Sequence, residues 1–171
     1  IKAIKIAKKL KLPVFILGGG SNLLVSDNGF KGLVIKIQIL DEKFEIKNTK
    51  SGVVIKANTG TELEKLVQVS TKESLAGLEW AGGLPGTLGG AVRGNAGAFG
   101  GEIKDSILEV EALDRKLNFR KLSNKQCQFS YRSSIFKKKN WVVLSATIKL
   151  KKGAPSMSSG QVKKNLIAIA N

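Results

Sequence analysis

The order of apolar and polar residues along the 171-residue chain predicts many short strands and few helices. Alternation over a few positions is typical of a strand with one buried face, and a short apolar run is typical of a fully buried strand. Seven stretches have one of these patterns: residues 14–17, 32–37, 44–46, 53–57, 107–113, 118–122 and 141–150. Strands that outnumber helices without regular alternation predict an α+β fold.

Apolar residues at helical spacing predict three helices. The first ends before Pro13, and its apolar face consists of Ile1, Ile4, Ala7 and Leu10. In the second, Thr61 and Glu64 have the spacing of a capping box. Its inner face contains Leu63, Leu66, Val67 and Ser70. The third covers residues 161–170, after a polar tail that begins at residue 151. A change from strand-rich to glycine-rich sequence near Gly60 predicts a boundary between two lobes.

Glycine is concentrated in two parts of the chain. Residues 18–22 (Gly-Gly-Gly-Ser-Asn) follow the first predicted strand, and residues 77–102 contain ten glycines. Glycine permits positive φ and lets the backbone approach a ligand closely. In the second part, residues 85–87 (Pro-Gly-Thr) predict a helix start whose free N–H groups bind an anion. Either part alone is typical of a tight surface turn. The two together, each with an asparagine inside it, favour one nucleotide cofactor whose diphosphate lies against both.

The net charge raises an alternative function, nucleic-acid binding. Lys and Arg number 29 against 13 Asp and Glu, for a net charge of +16, which is also found in nucleic-acid-binding modules. The basic residues are 25 Lys and 4 Arg spread along the chain, and aromatics make up 6%. Proteins that read bases favour Arg, and single-strand binders interleave aromatics with basic groups. We therefore expect a solvated basic surface that attracts an anionic substrate, without specific nucleic-acid binding.

Histidine is absent, and Cys127 is the only cysteine. This composition excludes histidine-based catalysis and an internal disulfide, and it predicts no metal site and a cytoplasmic location. The sequence contains no run of about 18 apolar residues that would predict a membrane-spanning helix. Gly18 and Gly20 are followed by Leu23 at the third fingerprint position, so the Rossmann pattern fails, and the P-loop pattern is missing from the sequence.

Five motifs occur in the order found in one enzyme family. They are residues 17–27 (LGGGSNLLVSD), 77–79 (GLE), 84–91 (LPGTLGGA), 94–100 (GNAGAFG) and 131–136 (YRSSIF). From about Val14 to Leu150 the chain resembles the UDP-N-acetylenolpyruvoylglucosamine reductases, flavoenzymes that make UDP-N-acetylmuramate for peptidoglycan. The resemblance implies the two-lobed FAD-binding fold of the p-cresol methylhydroxylase and vanillyl-alcohol oxidase type. We expect the lobes at residues 1–60 and 61–150, with residues 151–171 leading into a substrate-binding domain.

The resemblance also implies a reaction and its residues. NADPH reduces FAD, and the reduced flavin reduces UDP-N-acetylglucosamine enolpyruvate. We expect non-covalent FAD, because histidine is absent and Cys127 lies outside the glycine loops. Arg132 matches the catalytic arginine of the family and, with Tyr131, is expected to bind substrate. The implied FAD-binding residues are Gly18, Gly19, Gly20, Ser21, Asn22, Leu23, Pro85, Gly86, Thr87, Gly89, Gly90, Asn95, Ala96 and Gly97.

The chain also departs from the family pattern. Arg93 and Gly94 stand where many members have other residues. The opening segment of the family is missing, and so is its third domain, which supplies a proton-donating serine and a glutamate. We therefore expect a fragment that holds FAD and catalyses little or nothing alone. Another FAD-dependent oxidoreductase of the same fold and a basic nucleic-acid-binding module remain as alternatives, and the oligomeric state is not predicted.

Overall fold

The computed structural model describes residues 1–38 and 44–153. The helix predicted at residues 161–170 therefore lies outside the described residues. The helices are α1 (Lys2–Lys9), α2 (Leu63–Lys72), α3 (Leu88–Gly94) and α4 (Ile135–Lys138), with short 3₁₀ turns at Glu79–Ala81, Ile103–Asp105 and Lys125–Cys127. The strands are β1 (Val14–Leu17), β2 (Leu33–Lys36), β3 (Glu45–Thr49), β4 (Gly52–Asn58), β5 (Leu75–Ala76), β6 (Gly97–Ala98), β7 (Gly101–Glu102), β8 (Ile107–Leu113), β9 (Phe119–Ser123) and β10 (Val142–Lys152).

The N-terminal part of the chain forms a small unit of α1 and two parallel strands. β1 pairs with β2, with Val14 opposite Leu33. On α1, Ile4 and Ala7 are buried, as their spacing predicts, whereas the helix keeps its lysines in solvent. The predicted strands at residues 14–17 and 32–37 are confirmed. The connection between them is the loop that contains the first glycine cluster.

The larger unit is built on an antiparallel sheet with the order β3-β4-β10-β8-β9, to which β5 is added beside β10. β10 is the central strand, because it pairs with β4 on one side and β8 on the other. Buried side chains of the sheet share one core with those of α2, α3 and α4. The core includes the fully buried side chains of Ile55, Leu66, Leu88, Phe136 and Ile148.

The lobe boundary that the sequence predicts near Gly60 would divide the strands of this one sheet between two lobes. β3 and β4 precede Gly60, yet β4 pairs with β10, so residues on both sides of Gly60 share one sheet and one core. Lys151 and Lys152 also belong to the sheet, where they pair with β5. We propose that the first lobe ends before Phe44 and that the second contains the whole antiparallel sheet.

The predicted capping box at Thr61 is wrong, although the predicted inner face of α2 is confirmed. The helix begins at Leu63 after Glu62, with no side-chain cap. Thr61 is buried, and its carbonyl accepts a hydrogen bond from Leu88 N at 2.8 Å. Glu64 Oε2 accepts from Gly83 N at 3.1 Å, so its carboxylate binds the glycine-rich segment and not its own helix start.

Candidate functional site

The first glycine loop, residues 18–23, follows β1 and faces solvent along most of its length. Gly20 has a φ of +77°, a conformation that L side chains rarely adopt. Within the described residues, the backbone N–H groups of Gly19 through Asn22 donate no hydrogen bond. Exposed successive amides of this kind form a concave surface that binds anions. The first loop therefore has the backbone chemistry of a phosphate site.

The second glycine loop, residues 85–90, leads into α3 and uses its amides differently. Leu88 N donates to Thr61 O at 2.8 Å, and Gly89 N donates to Thr59 O at 2.8 Å. Gly90 N donates to Thr87 Oγ1 at 3.4 Å, which makes Thr87 the N-cap of α3. The helix start that the sequence predicts is confirmed. Its first three amides, however, bind groups of the protein itself.

Gly89 shows why the second loop is rich in glycine. A Cβ at this position would lie 1.8 Å from Thr59 Oγ1 and 3.0 Å from Thr59 O. The glycine thus lets α3 pack directly on the chain that leaves β4. In this loop, close approach between two parts of the protein explains the missing side chain.

The two loops lie against each other. Ser21 Oγ donates to Pro85 O at 3.2 Å, and a Cβ on Gly19 would lie 3.3 Å from Gly86 Cα. A Cβ on Gly18 would lie 2.6 Å from Thr87 Oγ1. The structure thus brings together two sequence motifs that are separated by more than sixty positions.

A cleft of about 450 Å³ extends from Gly18 and Thr87 between the small unit and the large sheet. Its small-unit wall contains Ile4, Lys8, Leu12, Val14, Phe15, Ile16 and Ile37, and its other wall contains Thr59, Gly89, Gly90, Arg93, Asp114, Arg115, Leu117, Asn140, Trp141, Val142 and Val143. We call it the interlobe cleft. It combines apolar walls with three cationic side chains, those of Lys8, Arg93 and Arg115.

The carboxylate in this cleft is already paired. Asp114 Oδ2 accepts from Arg120 Nη2 at 2.8 Å, and Asp114 Oδ1 accepts from Asn118 N at 2.9 Å. Burial opposes ionisation, but the hydrogen bonds from Asn118 and Arg120 outweigh it and lower the pKa of Asp114 to about 2. Because Arg120 neutralises Asp114, the cleft keeps a surplus of positive charge.

Asn95 ends α3 in a left-handed conformation with a φ of +44° and is fully buried. Its Nδ2 donates to Ser130 O at 3.0 Å, and its Oδ1 accepts from Lys104 N at 3.3 Å. Both polar side-chain atoms are therefore engaged within the protein. Ala96 and Gly97 follow it into β6, where a Cβ on Gly97 would meet Gly101 O at 2.7 Å.

Tyr131 and Arg132 form the tip of a tight turn that Asn95 anchors. Ser130 and Ser133 exchange two backbone hydrogen bonds of 3.0 Å across it. Arg132 has a φ of +50°, and its carbonyl accepts from Lys137 Nζ at 3.0 Å. Tyr131 is 84% exposed. Both side chains face a second cleft of about 470 Å³, lined also by Gly97, Ala98, Phe99, Gly100, Gly101, Glu102, Lys104 and Asp105.

Glu102 and Lys104, which the sequence did not suggest, form an ion pair at this second cleft. The hydrogen bond from Lys104 holds the pKa of Glu102 below its usual value. Arg93 in the interlobe cleft was also missed as a site residue. Its spacing of three and four positions from Gly90 and Gly89 was the signal, because this spacing places it on the same face of α3.

Cys127 is fully buried, and its burial raises the pKa of the thiol to about 12. The thiol is therefore protonated and poorly reactive at neutral pH. Among residues 1–38 and 44–153, no three His, Cys, Asp or Glu side chains are grouped so that they could hold a metal ion. Over the same residues, no helix has the length and apolar composition needed to cross a bilayer.

Comparison with known proteins assigns this geometry to a family. A family model described as FAD binding domain matches residues 1–119. UDP-N-acetylenolpyruvoylglucosamine reductase from Caldanaerobacter subterraneus is 44% identical over 90% of the chain and 49% of its own length. The enzyme of the same name from Clostridioides difficile is 41% identical over 88% of the chain and 48% of its own length. The chain thus spans about half the length of these curated relatives.

Solved structures give the same picture of the fold. The UDP-N-acetylenolpyruvylglucosamine reductase of Thermus caldophilus matches with a TM-score of 0.70 and 27% identity, over 98% of this chain and 58% of that one. A vanillyl-alcohol-oxidase-type flavoprotein from Myceliophthora thermophila matches with a TM-score of 0.62 and 20% identity, over 88% of this chain and 29% of that one. The expected two-lobed flavoprotein fold is confirmed.

Proposed function

Since this chain belongs to the FAD binding domain family, we propose that FAD lies in the interlobe cleft with its diphosphate against the first glycine loop. The observation that carries this proposal is the row of unbonded amides from Gly19 to Asn22, directly after Gly18, which lines a cationic cleft. A diphosphate satisfies amides of this kind and balances the surplus positive charge. The residues present therefore fit the cofactor.

The two glycine loops have unequal parts in this proposal. The first loop, with Ser21 and Leu23, contacts the cofactor directly. The second supports it through the amides of Leu88 and Gly89, which bind the protein itself, whereas the amides of Gly86 and Thr87 make no hydrogen bond among the described residues and stay proposed ligands. Among the expected ligands of this second segment, Thr87, Gly89 and Gly90 line the cleft. Asn95 acts as an anchor of the Arg132 turn, because its side-chain amide is fully buried and both of its polar atoms are hydrogen-bonded within the protein.

FAD is expected to be held without a covalent bond. The buried, protonated thiol of Cys127 supports this expectation, since flavin attachment to cysteine needs an accessible sulfur. The test is the absorbance spectrum of the purified protein, followed by denaturation and filtration. Yellow colour in the filtrate is the expected result. Colour that stays with the polypeptide contradicts non-covalent binding, and a protein that takes up no flavin contradicts the whole proposal.

We further propose that the chain is the FAD-binding part of an NADPH-dependent reductase acting on UDP-N-acetylglucosamine enolpyruvate in peptidoglycan synthesis. The identity of 44% to a curated reductase over most of the chain supports this. Bound FAD would supply the hydride transfer from NADPH to the enolpyruvyl double bond. The other steps of this reaction would depend on residues outside the half of the relatives' length that this chain spans. The lone buried cysteine supports a cytoplasmic location.

Arg132 is the residue of this chain that we assign to catalysis. Its turn is fixed by Asn95 and by Lys137, so the guanidinium extends from a fixed base beside the Tyr131 ring, 5.8 Å from its centroid. An arginine stays charged and can bind a carboxylate with two parallel hydrogen bonds. In this position it would bind the enolpyruvyl carboxylate and stabilise the negative charge that grows there during reduction.

Arg132→Ala tests this role in a protein that contains the full length of the relatives. FAD binding and flavin reduction by NADPH should change little, whereas the substrate step should slow by on the order of a hundredfold. Arg132→Lys should restore only part of the rate, because an ammonium lacks the planar fork. Stopped-flow measurement of the two half-reactions separates them. A normal rate of the substrate step in Arg132→Ala would show that Arg132 is a solvated surface residue without a part in catalysis.

Because the net charge is +16, nucleic-acid binding is an alternative function that can be tested. We expect weak, non-specific binding that disappears near physiological salt, because it would rest on phosphate contacts alone. A fluorescence-polarisation titration against labelled single-stranded and double-stranded DNA checks this. A tight complex that prefers one sequence at physiological salt would contradict the enzyme proposal.

A further inference from the structure

One face of α3 forms part of the interlobe cleft and bears a single long side chain. Gly89, Gly90 and Arg93 all line the cleft, and their spacing places them on one side of the helix. Gly90 leaves the helix surface open toward the cleft, whereas Gly89 packs against Thr59. Arg93 is therefore the side chain of this helix that reaches a ligand lying along the glycines.

The guanidinium of Arg93 is largely unengaged, whereas its backbone is fixed. Among the described residues it makes one hydrogen bond, from Nη2 to Asn140 Oδ1 at 3.4 Å. An arginine has five N–H donors, so most of them have no protein acceptor. The carbonyl of Arg93 accepts from Ser134 Oγ at 2.7 Å, which fixes the backbone at the end of α3. The side chain thus has an anchored base and an open charged end.

The other charged groups of the cleft do not neutralise Arg93. Asp114 is paired with Arg120, as described above. Lys8 and Arg115 are a second basic pair across the cleft, where Lys8 Nζ donates to the carbonyl of Arg115 at 2.5 Å. An anionic ligand in the cleft would balance these cations. The dinucleotide that the family binds has its two negative charges in one place, the diphosphate.

We propose that Arg93 binds the diphosphate of the dinucleotide cofactor, opposite the open amides of the first glycine loop. This inference rests on the proposed function, because it assumes that the interlobe cleft holds FAD. Guanidinium groups bind phosphate oxygens in a bidentate manner, which adds both energy and orientation. The diphosphate would then be held between the backbone amides of Gly19 to Asn22 and the Arg93 side chain.

The experiment is a set of titrations of the flavin-free protein with FAD, ADP and riboflavin, followed by fluorescence or calorimetry. Arg93→Gln should weaken FAD and ADP binding by a similar factor, on the order of tenfold to a hundredfold. Riboflavin, which lacks phosphate, should bind equally well to both proteins. Lys47→Gln, on the exposed strand β3, is the control with the same change of charge and should alter no affinity.

Each outcome separates the two proposals. Wild-type protein that binds neither FAD nor ADP overturns the proposed function itself. Wild-type binding that Arg93→Gln leaves unchanged overturns the Arg93 inference alone, and so does an equal loss for riboflavin and FAD. If the melting temperature shows that Arg93→Gln is unfolded, Arg93→Lys replaces it, with a partial loss for FAD and ADP expected. An unchanged affinity for both in folded Arg93→Lys also overturns the inference.

Discussion

The two glycine loops have similar composition, but only the second, residues 85–90, leads into a helix whose first amides are bonded within the protein. In the first loop, the N–H groups from Gly19 to Asn22 have no acceptor among the described residues. In the second, the amides of Leu88, Gly89 and Gly90 are bonded to neighbouring threonines. Glycine therefore has two uses here, one that leaves space for a ligand and one that lets a helix pack closely. A count of glycines does not distinguish them.

The largest expected effect is on cofactor affinity when the first loop is filled. Gly19→Val should weaken FAD binding by roughly tenfold to a hundredfold or more, because the branched side chain covers amides whose charged hydrogen bonds contribute about 1.5–3 kcal/mol each. The melting temperature should change much less. Flavin fluorescence titration and calorimetric melting measure the two effects. Normal FAD affinity in Gly19→Val would contradict the ligand role of the first loop.

A substitution in the second loop should lower the free energy of unfolding. Gly89→Ala places a Cβ 1.8 Å from Thr59 Oγ1, and overpacking of this kind costs about 1–3 kcal/mol of unfolding free energy. Gly94→Ala, in the same helix, is the matched control, because nothing lies within 4 Å of its Cβ. It should be neutral or slightly stabilising. Equal denaturant midpoints for the two variants would show that packing does not require Gly89.

Asn95, at the end of α3, should contribute to stability and not to cofactor affinity. Asn95→Ala removes two hydrogen bonds from a fully buried site and should cost about 1–3 kcal/mol, since it leaves Lys104 N without its partner and Ser130 O with only the bond from Ser133 N. Urea unfolding measures this cost. FAD should bind to the folded fraction with normal affinity. A loss of affinity without a loss of stability would instead support the direct cofactor contact that the sequence suggested for Asn95.

The contact between the loops should give the smallest effect. Ser21→Ala removes one exposed hydrogen bond, from Ser21 Oγ to Pro85 O. Such a bond contributes about 0.5–1 kcal/mol, so FAD affinity should fall by roughly two- to fivefold. Ser21→Thr keeps the hydroxyl and is the control. An effect as large as that of Gly19→Val would mean that the second loop positions the first more strongly than we infer.

The sequence predicted the elements well, because each depends on its own residues. The alternation in residues 107–113 and the apolar run 14–17 correspond to β8 and β1 with the same bounds. The capping box at Thr61 failed because Glu64 binds Gly83 and Thr61 binds Leu88, two partners that come from the glycine-rich segment. Local spacing contains no information about such distant partners.

At the candidate site, too, the sequence did not reveal contacts between distant parts of the chain. The sequence identified the two loops and the turn at Arg132, which all face a cleft in the structure. It could not show that the amides of α3 are already bonded, because the acceptors belong to Thr59 and Thr61, a full element earlier in the chain. The boundary predicted near Gly60 has the same limit, because the pairing of β4 with β10 joins residues on both sides of it. The central strand of the sheet, β10, comes last in sequence order among the described strands.

The late position of β10 has a consequence for synthesis on the ribosome. The β3–β4 hairpin and the β8–β9 hairpin can each form as they emerge, but the strand that joins them is translated last of the three. Until then, both hairpins expose an unpaired edge, and such edges are prone to pair with other chains. Closing the long loop between β4 and β10 also slows folding, because distant contacts form late. Polypeptides released before Val142 would therefore be the ones that aggregate and that chaperones must hold.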